Sequence, residues 1–192
     1  PTDWTGLMQF CEALSKSDLV PKDFRDKPAN LAIAISMGNE VGLHWTHAIQ
    51  SIAVINGRPS IWGDGALAVV MAHPEFIEIN ENESTDACGV CVITRRGMPP
   101  RRYEFSLEMA RTAGLLVKDT YKLHQGRMLQ RRARARCMAD TFPDALKGIG
   151  LADDMPPEKL VGESSVAEEA KPKAKAVQEK IAARKAAAAE PA

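Results

Sequence analysis

The Asn56-Gly57 dipeptide constrains this chain more than any other feature. It stands between two β-rich runs, Ile52-Ala53-Val54-Ile55 and Pro59-Ser60-Ile61-Trp62. Asn-Gly accepts positive φ at both central positions of a two-residue turn whose twist matches that of the flanking strands. Residues 51–62 are therefore expected to form a hairpin, and alternation along it places one of Ile61 and Trp62 in the core.

The elements around the hairpin follow from hydrophobic spacing and from Pro and Gly. Trp4, Leu7, Met8, Cys11 and Leu14 recur at helical intervals, which predicts an amphipathic helix over 4–14 capped by Asp3 or Thr2. Pro21 and Pro28 bracket a polar connection; Pro28 then suits the first turn of a largely buried helix that stops near Gly42. A short helix over 46–50 precedes the hairpin, and one over 65–72 follows it, ending before Pro74. Three strands are predicted at 76–81, 87–96 and 101–105, the last two joined by Gly97-Met98-Pro99-Pro100. Ser106 caps a helix that Gly114 ends, and Thr120 caps a long helix running to about Phe142, where Pro143 stops it. The expected fold is α+β: a small antiparallel sheet with an N-terminal β-hairpin, packed against several helices including one long basic helix.

With 192 residues the chain suits one domain and an appendage. The domain is expected over 1–154. Residues 155–192 are rich in Ala, Lys, Glu and Pro and poor in large apolar side chains, which predicts a low-complexity tail with a transient helix over 174–189. No apolar run reaches the roughly 18 residues of a membrane span, and Pro1-Thr2-Asp3-Trp4 carries no export signal, so a cytoplasmic protein is expected. Four scattered cysteines do not make a disulfide scaffold. Cys88 and Cys91 have C-x-x-C spacing, yet on a strand positions i and i+3 face opposite sides, so reduced structural thiols are expected rather than a metal or redox centre.

Net charge is zero, with 25 basic and 25 acidic side chains, but the distribution is uneven. Acids gather at Glu75, Glu78, Glu81, Glu83 and Asp86. Residues 118–136 carry Lys118, Lys122, Arg127, Arg131, Arg132, Arg134 and Arg136 against Asp119 alone. At about 100° per residue, Arg127, Arg131 and Arg134 share one helix face and Arg132 and Arg136 fall almost opposite, with Met128, Ala135, Ala139 and Phe142 as the packing stripe between them. Such a helix either binds phosphates, for which the planar guanidinium is suited, or pairs its arginines with acids from elsewhere, those of 75–86 being the candidates. Arg95, Arg96, Arg101 and Arg102 flank the Gly-Met-Pro-Pro turn and either extend the same groove or keep a sheet edge soluble. Arg58 at the hairpin tip, with Trp62 at its base, is placed to meet nucleotide bases if Trp62 is not itself core.

Signals for catalysis are nearly empty. There is no G-x-x-x-x-G-K-[ST] loop and no G-x-G-x-x-G, which argues against ATP-driven chemistry. His44 and His47 lack the Glu of a zinc motif, no Ser-His-acid pattern stands out, and Asp64 before a helix reads as a cap rather than a metal ligand. No catalytic residues, metal or cofactor are expected.

Several of these stretches also carry a resemblance. Leu31-Ala-Ile-Ala-Ile-Ser-Met-Gly-Asn-Glu-Val-Gly-Leu, Ala48-Ile-Gln-Ser-Ile-Ala-Val-Ile-Asn-Gly-Arg-Pro-Ser-Ile-Trp-Gly-Asp, His124-Gln-Gly-Arg-Met-Leu-Gln-Arg-Arg-Ala-Arg and Phe142-Pro-Asp-Ala-Leu-Lys-Gly resemble the RecT and Red beta family of phage recombinases over residues 4–154. The resemblance implies an ATP-independent protein that coats single-stranded DNA left by a partner exonuclease and anneals it to a complementary strand, yielding duplex. It implies a homo-oligomeric ring or helical filament in a bacterial host, with DNA in a basic groove formed by the sheet and the long helix. The host single-strand binding protein is a further partner of the family. Arg127, Met128 and Leu129 match the family's His-Pro-Lys-Arg-Met-Leu pattern, Gly126 stands where that pattern has a basic residue, and Arg132 and Arg136 fall where members carry contact residues. The rival readings are a general nucleic-acid binding module without annealing activity and a metal-dependent nuclease using Asp64.

Overall fold

The computed structural model describes residues 3–55 and 58–155. The chain is α+β, with eight α-helices and two three-stranded sheets among these residues. The long tail expected beyond Met155, and the helix expected within it, lie outside them.

Helix α1 spans Trp4–Leu14, and Asp3 caps it as its spacing predicts: Oδ1 accepts from the Gly6 amide at 3.0 Å. Helix α2, Pro28–Glu40, opens with Pro in its first turn and buries Leu31, Ala32, Ala34, Ile35 and Gly38. Helix α3 is Trp45–Ser51, whose Thr46 amide donates to His44 Nδ1 at 3.4 Å, giving that histidine a structural role. Strands β1 (Ile52–Ile55) and β2 (Arg58–Ile61) pair antiparallel with Ile55 opposite Arg58, the register a two-residue turn demands. The turn residues 56 and 57 lie outside the described set. Helix α4 is Gly63–Met71.

Strands β3 (Phe76–Asn80), β4 (Cys88–Arg95) and β5 (Arg101–Ser106) form an antiparallel sheet with β4 central. Ser106 caps α5, Leu107–Thr112, accepting from the Met109 amide at 3.2 Å, and Gly114 follows with φ 68°. Next come α6 (Asp119–Leu123), α7 (Gln125–Thr141), α8 (Pro143–Leu146), β6 (Gly150–Leu151) and a 3-10 turn, Ala152–Asp154.

The hairpin belongs to a sheet of its own: β2 pairs in parallel with β6, Ser60 opposite Gly150 and Ile61 opposite Leu151, making a second, mixed sheet. A two-residue strand is too short to show alternation, so nothing local announces it. The helix predicted from Thr120 is broken at His124, whose φ of −138° and ψ of 48° are not helical, and Thr120 caps neither piece. The break turns α6 so that Tyr121 is buried, 6% exposed, against the side of α7.

Helix α7 lies along β4 in the same direction. Leu129 meets Gly89 near the start of the strand, and the Thr141 carbonyl accepts from Arg95 at its end, 2.9 Å away. A Cβ on Gly89 would fall on the Leu129 carbonyl, so only glycine lets helix and strand backbones come this close. Burial is not confined to the predicted stripe. Leu129, Arg132, Ala133, Ala135, Cys137, Met138 and Thr141 are all buried, Met128 and Ala139 only half so. The antiparallel sheet covers one side of α7; α4 and the 3-10 turn cover others. The basic helix is therefore the central strut of the domain.

Candidate nucleic-acid interface

The two-faced arginine pattern is real, and both faces meet the protein's own oxygens. On one, Arg131 Nη2 lies 3.2 Å and Arg134 Nη1 3.6 Å from the Asp64 carboxylate. Arg134 also makes a fork-to-fork pair with Glu81 at 2.8 and 2.5 Å. On the other face, Arg132, 9% exposed, donates to the Asp154 and Met155 carbonyls at 3.1 Å and lies over the Phe105 ring. Arg136 Nε reaches the Asp154 carboxylate at 2.6 Å. Of the acids that the sequence offered in 75–86, Glu81 takes one of these arginines; Asp64 and Asp154, outside that stretch, take the others.

The same holds at the β4–β5 turn. Arg95 is folded inward: it pairs with Glu75 at 2.6 Å and Asp144 at 2.7 Å, and its guanidinium stands 4.9 Å over the Phe142 ring. Arg102 pairs with Glu83 and Glu104, and Lys122 pairs with Asp119 at 3.0 Å. Among the described residues Arg58, Arg96, Arg101 and Arg127 are exposed and have no carboxylate within ion-pair distance. Arg96 and Arg101 stand where β4 ends and β5 begins, beside the C-terminal half of α7, whereas Arg127 belongs to the N-terminus of α7. The structure does not gather the ten predicted basic residues into one patch.

It does assemble a smaller site. A cleft of about 230 Å³ opens between the end of β2, α6 and the first turns of α7. Its lining includes Trp62, Lys118, Thr120, Met128 and Arg131, with Asp153 beneath. Ile61 ends β2 in the core, 1% exposed, and Trp62 just beyond the strand is 44% exposed. Arg127 is one helical turn before Arg131 and so shares its face. An indole with open surface, Lys118 and Arg131 in the wall and the Arg127 guanidinium one turn away can stack a planar ring and hold anions beside it.

Two features of this site escaped the sequence. Asp64 is not a cap: α4 begins at Gly63 with no side-chain cap bond, and the Asp64 carboxylate faces Arg131 and Arg134 instead. Asp153 stands under the cleft with Oδ2 against the Gly63 backbone and no hydrogen-bond partner among the described residues. Burial pushes its carboxyl above the usual range, against the pull of Arg131 and Arg134. The Asp153-Asp154 doublet right after the last apolar pair was the available signal, a concentration of acid opposite a concentration of base.

The cysteines are structural in this fold. Cys91 is buried beside Cys137 across the β4–α7 contact, and that neighbouring thiol together with burial pushes the Cys91 thiol up. Cys88 points to the other side of the strand, as spacing requires. Among the described residues no group of three His, Cys, Asp or Glu side chains is placed to hold a metal ion, and no helix is long and apolar enough to cross a membrane. Compared with known proteins, the chain matches no family model, and no curated protein matches it.

Proposed function

We propose that this protein binds single-stranded DNA and anneals complementary strands without ATP, in the manner of the RecT and Red beta family that its motifs resemble. The observation that carries the reading is the half-exposed Trp62 facing Lys118 and Arg131 across one cleft. A base stacks on the indole while the flanking phosphates meet Arg131, Lys118 and Arg127. Stacking and phosphate contacts are indifferent to base identity, so Watson–Crick edges stay open to a second strand. A cleft of this volume takes about one nucleotide, and a single nucleotide's contacts do not hold a strand. Many copies in a ring or filament, each contributing one such cleft, supply affinity that is large in sum and small per contact. Arg95, Arg132, Arg134 and Arg136 hold the fold in this reading; a partner exonuclease and the host single-strand binding protein act before and beside the protein.

Annealing of two labelled complementary strands, followed by energy transfer in ATP-free buffer, tests the reading. The parent protein accelerates pairing without shortening either strand. Trp62→Ala weakens strand binding about tenfold, within the roughly 1–3 kcal/mol that one stacked base contributes, and Arg131→Ala slows pairing while both variants stay folded. Binding without acceleration favours a general nucleic-acid binding module, and magnesium-dependent shortening favours a nuclease. Equal activity of parent and both variants places the interface elsewhere.

A further inference from the structure

Asp64 differs from the other carboxylates that hold α7. Glu81, which grips Arg134, is itself only 16% exposed, and Asp154, which grips Arg136, 23%. The Asp64 side chain is 74% exposed and reaches Arg131 and Arg134 at 3.2 and 3.6 Å, longer than the 2.5 to 2.8 Å of the Glu81 pair. It comes from the first turn of α4, two residues after Trp62, so it approaches Arg131 from the rim of the cleft. Arg131 keeps 22% of its side chain exposed and lines that cleft. An exposed ion pair of this kind is weak, because water screens it and both side chains lose freedom to make it.

We propose that Asp64 occupies, in the free protein, the place of one DNA backbone phosphate, and that the incoming strand displaces it from Arg131. This rests on the single-strand binding reading above. A phosphodiester and a carboxylate each carry one negative charge and two oxygens that accept from a guanidinium fork, so the exchange leaves the charge around α7 unchanged. Arg134 does not collapse when Asp64 departs, because Glu81 still holds it. The exchange has two consequences. Without a strand, the Arg131 and Arg134 guanidinia share the Asp64 carboxylate between them, which offsets their mutual repulsion. With one, each bound nucleotide competes against a tethered anion, which keeps contacts loose enough for a strand to shift in register while it searches for its complement.

The test is Asp64→Asn in the full chain, with anisotropy of a labelled oligothymidine strand measured across a salt series. Removing the competing charge tightens binding at low salt by about fivefold and steepens the log–log salt dependence by about 0.7, one phosphate contact. The double variant Asp64→Asn, Arg131→Ala loses both gains. If Asp64→Asn is folded by circular dichroism and binds no more tightly than a parent that itself binds, the displacement is wrong and the annealing reading stands. A gain that survives in the double variant also overturns it, since the effect is then general charge rather than release of Arg131. A parent that fails to bind the strand at low salt overturns both. Asp64→Ser, equally uncharged, is judged by the same outcomes should the Asn variant not fold.

Discussion

A guanidinium pairs with the nearest anion that costs least to dehydrate, and in this protein the anion's burial decides what each arginine does. Arg134 and Glu81 are 15% and 16% exposed and bonded at two points, so neither is replaceable alone. Arg134→Ala strands Glu81 as a largely buried charge and is expected to cost about 3 kcal/mol. Arg127, on the same helix face and exposed, is expected to cost under about 0.5 kcal/mol when replaced by Ala. Urea unfolding midpoints separate the two; equal midpoints would show that Glu81 finds water when Arg134 leaves. In strand binding the order reverses, with Arg127→Ala the more harmful of the two per unit of stability lost. Asp64 lies between these cases, close enough to pair and exposed enough to let go.

At the scale of elements, α7 and β4 form the axle of the domain. Their backbones approach closely at Gly89, and Gly126 lies less tightly against Asp86, where a Cβ would stand 2.5 Å from the carboxylate and 3.1 Å from the Cα. Gly126 thus has a packing reason: it seats the first turn of α7 on the loop before β4. Gly89→Ala pushes a methyl into the Leu129 carbonyl, which no rotamer relieves because the obstacle is backbone. The variant is expected to lose more than the about 1–3 kcal/mol typical of overpacking and to melt at least several degrees lower than the parent in a thermal scan. An unchanged melting temperature would mean that α7 slides along the sheet, and that the contact does not set the helix's position. The break at His124 belongs to the same scale, since a continuous helix would carry Tyr121 away from the core that now covers it.

Across the whole molecule, the two sheets are joined by the end of the chain. From α7 the chain turns at Phe142 into α8 and returns as β6 beside the hairpin, and the corner is held by Arg95, which grips Glu75, Asp144 and the Thr141 carbonyl at once. The Arg95 guanidinium beside Asp144 lowers that carboxyl to about 2 from 3.8. A carboxyl whose folded value is depressed adds stability that is fully present above the unfolded value and is lost as pH falls through the folded one. The corner is therefore expected to weaken between about pH 4 and pH 2. Asp144 is half exposed, so the effect is modest and is best read as a difference. Melting temperatures of the parent fall more steeply over that window than those of Asp144→Asn, which starts lower; parallel curves would show that the clamp does not depend on the charge of Asp144.

Local chemistry was enough to foresee most elements of this protein. Asn56-Gly57 between two apolar runs, Asp3 and Ser106 as caps, Pro28 as a helix start and Pro74 as a stop all act within a few residues, and the strands and helices lie where those residues place them. The two faces of α7 were also legible, because helical angle depends on spacing alone. What the arginines touch was not. Asp64 and Arg131 are 67 residues apart, Glu81 and Arg134 53, and no local rule selects one carboxylate over another at that distance. Nor does any rule announce a two-residue strand such as β6, which exists only because β2 offers it an edge. The sequence by itself determined the elements and the charge pattern along them. Tertiary structure alone decided which arginines became internal struts and which kept a face to solvent, because pairing and burial are properties of neighbours that only the fold supplies.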